Sequence, residues 1–280
     1  MKIFSFINRR NFLKFLGLFS ITNLISPLKL MFGNENKSSS GKIKYAGNVI
    51  IIGAGAAGLY AGQVLKSKGI QFQILEASDR YGGRLGQLKG FASYSIDLGA
   101  QWLHGKNNIV GKLIQKSKTS ISLDSSKPKY WFKKKLQSSL PKNIEIFSGD
   151  LPDLSYQDFS KLKGLDEDFK YIIESLAGDK GASASRLSAY YDNLEFENWN
   201  SGDENYKFQE TYFSLIDEQI ASTVKDKIKL NTVISKIDYS KSKIVITDTK
   251  KNIYFADKLI LTVPITILKA GDIELSETSK

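Results

Sequence analysis

The stretch that most constrains this chain runs from Asn48 to Arg84. An apolar run, Val49-Ile50-Ile51-Ile52, leads into Gly53-Ala54-Gly55-Ala56-Ala57-Gly58. A helix-period segment with Leu59, Tyr60, Val64 and Leu65 comes next, then a second apolar run with Phe72, Ile74 and Leu75, then Glu76. That order predicts strand, helix, strand, a parallel βαβ unit. Gly53 turns the chain off the first strand, Gly55 lets backbone approach a diphosphate, and Gly58 lets the helix sit close on the sheet, with Ala57 between them. The free N–H groups and dipole of the helix N-terminus favour negative charge there. Glu76 stands 23 residues after Gly53, at the end of the second strand, where a carboxylate can accept hydrogen bonds from a ribose. The stretch predicts a dinucleotide site.

The residues after Glu76 narrow the choice of dinucleotide. Ala77-Ser78-Asp79-Arg80-Tyr81-Gly82-Gly83-Arg84 is a second glycine turn, and it carries two of the chain's five arginines. Arg84 offers phosphate oxygens a planar fork of donors that a lysine cannot reproduce. These residues resemble the flavin-containing amine oxidase family, the monoamine and polyamine oxidases, in Gly-x-Gly-x-x-Gly-Leu, Leu-Glu-Ala and Arg-x-Gly-Gly-Arg. The resemblance implies FAD rather than NAD as cofactor. Ser78 is a departure, since members commonly carry arginine there, and it removes a cation near the ribose.

A second point of resemblance is Asp97-Leu98-Gly99-Ala100-Gln101-Trp102-Leu103-His104-Gly105, close to the Asp-Leu-Gly-Ala-x-Trp-x-His-Gly of polyamine-oxidase-like members. In the family this segment lies against the flavin, so the resemblance places Gly99, Ala100, Gln101 and Trp102 at the cofactor. A small pair such as Gly99-Ala100 lets backbone approach a flat ring. His104, the chain's single histidine, is either a hydrogen-bonded loop histidine or a catalytic contact on the substrate side of the flavin. With one histidine and no cysteine, a metal site would have to rest on carboxylates, and no such cluster is visible, so no metal is expected.

Composition excludes several classes. With 41% hydrophobic and 25% charged residues, the chain is neither disordered nor fibrous. The absence of cysteine rules out disulfides and a cysteinyl-flavin bond. The formal charge is +11, but Lys2, Arg9, Arg10, Lys14 and Lys29 precede any acid and leave +6 for the remainder. That excess is mostly lysine and does not point to nucleic acid. Lys127-Pro128-Lys129-Tyr130-Trp131-Phe132-Lys133-Lys134-Lys135 interleaves lysines with aromatics, a pattern that can bind single strands. A solvated strand or hairpin facing away from an amine entrance is the reading adopted, because lysines at that mouth would repel a cationic substrate.

Residues 1–33 resemble a twin-arginine export signal: Asn8-Arg9-Arg10-Asn11-Phe12-Leu13-Lys14 precedes an interrupted apolar run, Phe15 to Leu28. The run is too short and broken to span a bilayer comfortably. Export through the twin-arginine machinery and a periplasmic location are the expectations, with removal of the segment and an uncleaved membrane tether both left open. Residues 34–46 read as a polar linker.

The expected fold class is α/β: an FAD-binding Rossmann-like βαβ domain interrupted by a partial, mainly helical substrate domain. Its parts are expected at 47–125 (FAD domain), 126–221 (substrate domain), 222–270 (return to the FAD domain) and 271–280 (a truncated end). Phe169, Ile172, Ile173 and Leu176, then Phe213, Leu215, Ile216 and Ile220, carry helical spacing. A family Gly-Gly pair is replaced by Glu210-Thr211, which puts local backbone geometry in question. Ile228 to Val233 and the alternating Ile244 and Ile246 read as strands, with a polar turn from Asp248 to Asn252. By resemblance Val233 holds the adenine end through its backbone, and Thr262-Val263-Pro264 ends a strand beside the cofactor.

The function implied is FAD-dependent oxidation of a small-molecule amine by an N-terminal portion of such an enzyme. A second chain supplying the C-terminal half, a non-catalytic nucleotide-binding chain and a related flavin desaturase are the alternatives. Because the resemblance stops near residue 270, part of the parallel sheet is expected to lack cover, and FAD to be held weakly by these residues alone.

Overall fold

A computed structural model describes residues 45–127, 129–132, 134–139, 150–165 and 167–276. Residues 1–33, read above as an export signal, and the expected linker up to residue 44 lie outside the described residues.

Strand β1 (Asn48–Ile52), helix α1 (Ala56–Ser67) and strand β2 (Gln71–Leu75) form the expected unit, with β1 and β2 parallel from Asn48↔Gln71 to Ile52↔Leu75. Beyond the second glycine turn, β3 (Gln87–Leu88) and β4 (Ile96–Asp97) make a short antiparallel ribbon. Then come β5 (Trp102–His104), α2 (Ile109–Lys116) and β6 (Ile121–Leu123). A hairpin of β7 (Tyr130–Phe132) and β8 (Lys135–Gln137) occupies the lysine-aromatic stretch. Helices α3 (Tyr156–Leu162), α4 (Lys170–Asp179) and α5 (Ala189–Glu197) surround their own core of Phe159, Phe169, Ile172, Ile173 and Ala177.

The return begins earlier than expected. Strand β9 (Asn205–Phe208) inserts antiparallel between β5 and β6. Helix α6 (Tyr212–Ile216) continues through a π-helical turn, Asp217–Ala221, into Ser222–Val224. Ile216, Ile220, Ala221 and Val224 pack with Leu59 and Leu65 of α1, so a boundary at 222 would cut one helical run. Apolar spacing alone cannot say which helix a face meets. The lost Gly-Gly pair does not disturb the backbone here, because Thr211 caps α6 by accepting a hydrogen bond from the Ser214 N–H at 3.1 Å.

The last described elements are β10 (Ile228–Lys229), β11 (Ile234–Asp238), β12 (Ile244–Asp248), β13 (Ile253–Ala256), β14 (Lys258–Leu261), α7 (Ile265–Ala270) and β15 (Glu274–Ser276). Strands β10, β2, β1 and β14 form one parallel sheet in that order; β13, β12, β11 and β15 form a second, antiparallel sheet in which only β11 and β15 run parallel. Alternate residues of β1 face opposite sides. Val49 and Ile51, with Ile74, lie under α1 and α6, whereas Ile50, Ile52 and Leu75 pack on Ile234, Ile237, Ile246 and Ala256 of the second sheet. The parallel strands are therefore covered on both faces, contrary to expectation. The cover comes from this chain's own β-meander, whose strands look in sequence like a continuation of the same sheet.

Candidate cofactor site

The two glycine turns lie against each other at the ends of β1 and β2. Gly82 donates from its N–H to Ala54 O at 2.8 Å, and Gly55 and Gly82 form a parallel bridge. Gly53 has φ +103°, open to glycine but strained for other residues, and its N–H donates to Leu75 O at 2.8 Å. A Cβ on Gly58 would stand 1.9 Å from Gly53 O, so that glycine is needed for the loop to close on itself. Gly55 is the reverse case: a Cβ there would meet nothing within 4 Å. The space above it is open. Gly55 is also the N-cap of α1, with no side-chain cap and no acid in the first turn, which leaves the N–H groups around the exposed Ala57 for an anion.

Glu76 is buried, and it reaches the loop before it reaches any ribose. Its carboxylate accepts from the Ala54 N–H at 2.6 Å and from the Ser78 N–H at 3.0 Å and hydroxyl at 2.5 Å. A carboxylate has about four acceptor positions, so one remains for a ribose hydroxyl beside the exposed Ala77. Ser78, which loses the cation expected there, gives Glu76 a hydroxyl donor instead. Val233 is brought to the same corner: Glu76 O accepts from the Thr232 N–H at 2.8 Å, and Ser78 O accepts from the Asn231 N–H at 2.9 Å. The Val233 carbonyl accepts from Thr249 at 2.8 Å, while its own N–H has no partner among the described residues.

The two arginines of the second turn divide the work. Arg80 donates to Leu85 O and Gly83 O, each at 2.9 Å, and staples the turn. Arg84 is exposed, and its guanidinium has no partner among the described residues. Its carbonyl accepts from the Ala100 N–H at 3.3 Å, and a Cβ on Gly99 (φ +133°) would come within 2.1 Å of that same oxygen. Gly99 and Ala100 are thereby joined to the glycine turns, with exposed Gln101 and Trp102 next in the chain.

Trp102 and His104, two residues apart on β5, share its outer face, while Leu103 is buried behind. Trp102 Nε1–H donates to Asp124 at 3.0 Å, and Asp124 pairs with Lys207 at 3.3 Å. Hydrogen bonds from Ser126, supplemented by those from Trp102 and Lys207, hold the Asp124 carboxyl down to about 2. His104 Nδ1 lies 2.7 Å from Asn205 Oδ1, and the ring is otherwise exposed. No contact joins it to the glycine turns among the described residues.

Sequence reasoning missed Arg80, Asp97, Asp124 and the role of Thr262. The Thr262 hydroxyl lies 2.9 Å from Ile52 O and 3.1 Å from Gly53 O, donating to one at a time and fastening β14 to the first turn. Only the pairing of β14 with β1 reveals it. Asp97 accepts from the Tyr212 N–H at 3.0 Å, and burial pushes its carboxyl above the usual range. The one legible signal was the first arginine of Arg-x-Gly-Gly-Arg.

An uncapped helix N-terminus beside open space, a buried carboxylate at the end of β2 and an unpaired arginine define a dinucleotide-binding protein of the parallel-sheet class. The profile for flavin containing amine oxidoreductase matches residues 56–214 and 165–279. The chain belongs to that family, and its cofactor is FAD, which these residues fit. Among curated relatives, human lysine-specific histone demethylase 2 is 29% identical over 264 residues, covering 82% of this chain and 31% of that protein. Polyamine oxidase 5 of Oryza sativa subsp. japonica is 26% identical, covering 81% of this chain and 52% of that protein. The chain thus spans about a third to a half of these relatives. The structure of wild-type putrescine oxidase bound to putrescine matches with a TM-score of 0.64 at 15% identity, over 82% of this chain and 60% of that one, a likeness of fold.

Proposed function

We propose that this chain holds FAD for the oxidation of an amine. The adenosine end lies against Glu76 to Ser78 and Val233, the diphosphate between the α1 N-terminus and Arg84, and the flavin toward Gly99 to Trp102. The carrying observation is the open space over Gly55, against which Gly83 lies with Arg84, unpartnered among the described residues, next in the chain, because an anion at helix N–H groups there is within the chain neighbourhood of that guanidinium. Bound FAD supplies a two-electron acceptor for hydride from the carbon next to nitrogen, after which the imine hydrolyses. The chain's own contribution is placement. Trp102, fixed by Asp124, walls the substrate side, and His104, fixed by Asn205, offers a polar contact or proton acceptor there.

Titration of the purified chain with FAD tests the reading. Glu76→Ala and Arg84→Ala should each weaken binding by about 1 to 3 kcal/mol, and unchanged titrations would sink both assignments.

A further part of the proposal rests on sequence. Arg9 and Arg10 direct twin-arginine export to the periplasm, supported by the Arg-Arg-x-Phe-Leu-Lys run. Replacing both with lysine should leave the protein in the cytoplasm, and undiminished export of the double variant would remove the assignment.

A further inference from the structure

We propose that the β7–β8 hairpin docks this protein on an anionic membrane surface. Trp131 and Leu136 stand directly opposite each other across the hairpin and so share one face, where they are 67% and 61% exposed. The other face is anchored, because Phe132 is buried and meets the Phe169 ring edge-on at 5.1 Å. The hairpin thus presents an apolar pair outward from a fixed base.

Charge surrounds that pair. Lys127, Lys129, Lys134 and Lys135 are exposed, none has an ion-pair partner among the described residues, and no acid occurs between 127 and 137. Lys134 sits at φ 60°, a conformation that glycine or asparagine adopts more readily, so a lysine is held at the tip against local preference. A lipid headgroup layer suits this arrangement on both counts. An indole settles at headgroup depth with its N–H toward water, an aliphatic neighbour reaches the acyl boundary, and each nearby lysine is drawn to anionic lipid.

A single-stranded nucleic acid fits less well. It needs successive exposed rings for its bases, whereas Tyr130 is half-buried, Phe132 is buried and Leu136 offers nothing to stack on.

Co-sedimentation of the full chain with phosphatidylcholine vesicles, with and without about a third phosphatidylglycerol, tests this. All variants keep residues 1–33, so differences between them report the hairpin. Trp131→Ser with Leu136→Ser should lower partitioning to anionic vesicles about tenfold or more, as should Lys134→Gln with Lys135→Gln. The lysine pair lies on the surface and keeps the test valid if the apolar pair disturbs folding, checked by far-UV circular dichroism. In a Trp102→Phe, Trp199→Phe background, Trp131 emission should shift to the blue on anionic vesicles. Equal partitioning of wild type and both variants would overturn the proposal. So would no binding to anionic vesicles, or Trp131 quenching by a thymidine oligonucleotide without a blue shift on vesicles.

Discussion

Glu76 and Arg84 were paired in the sequence as two cofactor contacts, yet they stand in different physical situations. Glu76 is buried and already accepts three hydrogen bonds, one of which fixes the first glycine turn. Arg84 is exposed and its guanidinium is bonded to nothing among the described residues. Their alanine variants should therefore separate. Glu76→Ala strands the Ala54 N–H and should cost about 1 to 3 kcal/mol of stability in urea titrations, in addition to its effect on FAD. Arg84→Ala should leave stability within about 0.5 kcal/mol, as a surface change does. Equal loss of stability in both variants would mean that Arg84 is a structural residue. No sequence signal separates these cases, because neither residue type nor spacing reports burial or the partners a side chain already has.

The elements that matter most are the second glycine turn and α6, 130 residues further along the chain by the numbering of Gly82 and Tyr212. Tyr81 of the turn donates to Asp217 at 2.7 Å and stacks on Phe213 at 5.9 Å between ring centroids, and Lys225 pairs with Asp217 at 2.9 Å. Asp97 at the end of β4 holds the first turn of α6. Asp97→Ala should lower stability by about 1 kcal/mol, the usual worth of such a cap. Asp97→Asn separates the bond from the charge. The folded carboxyl is raised, chiefly by burial, so ionisation is harder in the folded chain than in the unfolded one. The contribution of Asp97 to stability should consequently fall as pH rises from below the ordinary carboxylate value through the raised one. Urea midpoints of wild type relative to Asp97→Asn should fall across that window; parallel profiles would show that Asp97 contributes no pH dependence.

At the scale of the whole molecule, the parallel sheet is closed by helices on one face and by the β-meander on the other. Ile246, fully buried between the two sheets, ties them into one body. Ile246→Ala should cost about 2 to 5 kcal/mol, and circular dichroism should fall together with the fluorescence of the three tryptophans. Separate transitions would show that the sheets unfold independently. The βαβ unit, the two glycine turns and the family were legible because each rests on contiguous residues with a fixed mechanical role: a turn off a strand, a close backbone approach, an acid at a strand end. The cover of the sheet, the docking of α6 on α1, the Thr262 clasp and the stapling role of Arg80 were not legible. Each depends on which segments meet across large sequence separations, and hydrophobic period reports that a face is apolar without naming what it meets. The sequence by itself determined the βαβ unit, its glycine turns and the family; tertiary packing decided which residues hold those turns in shape, as Glu76 and Arg80 do, and which stay unpartnered among the described residues, as Arg84 does.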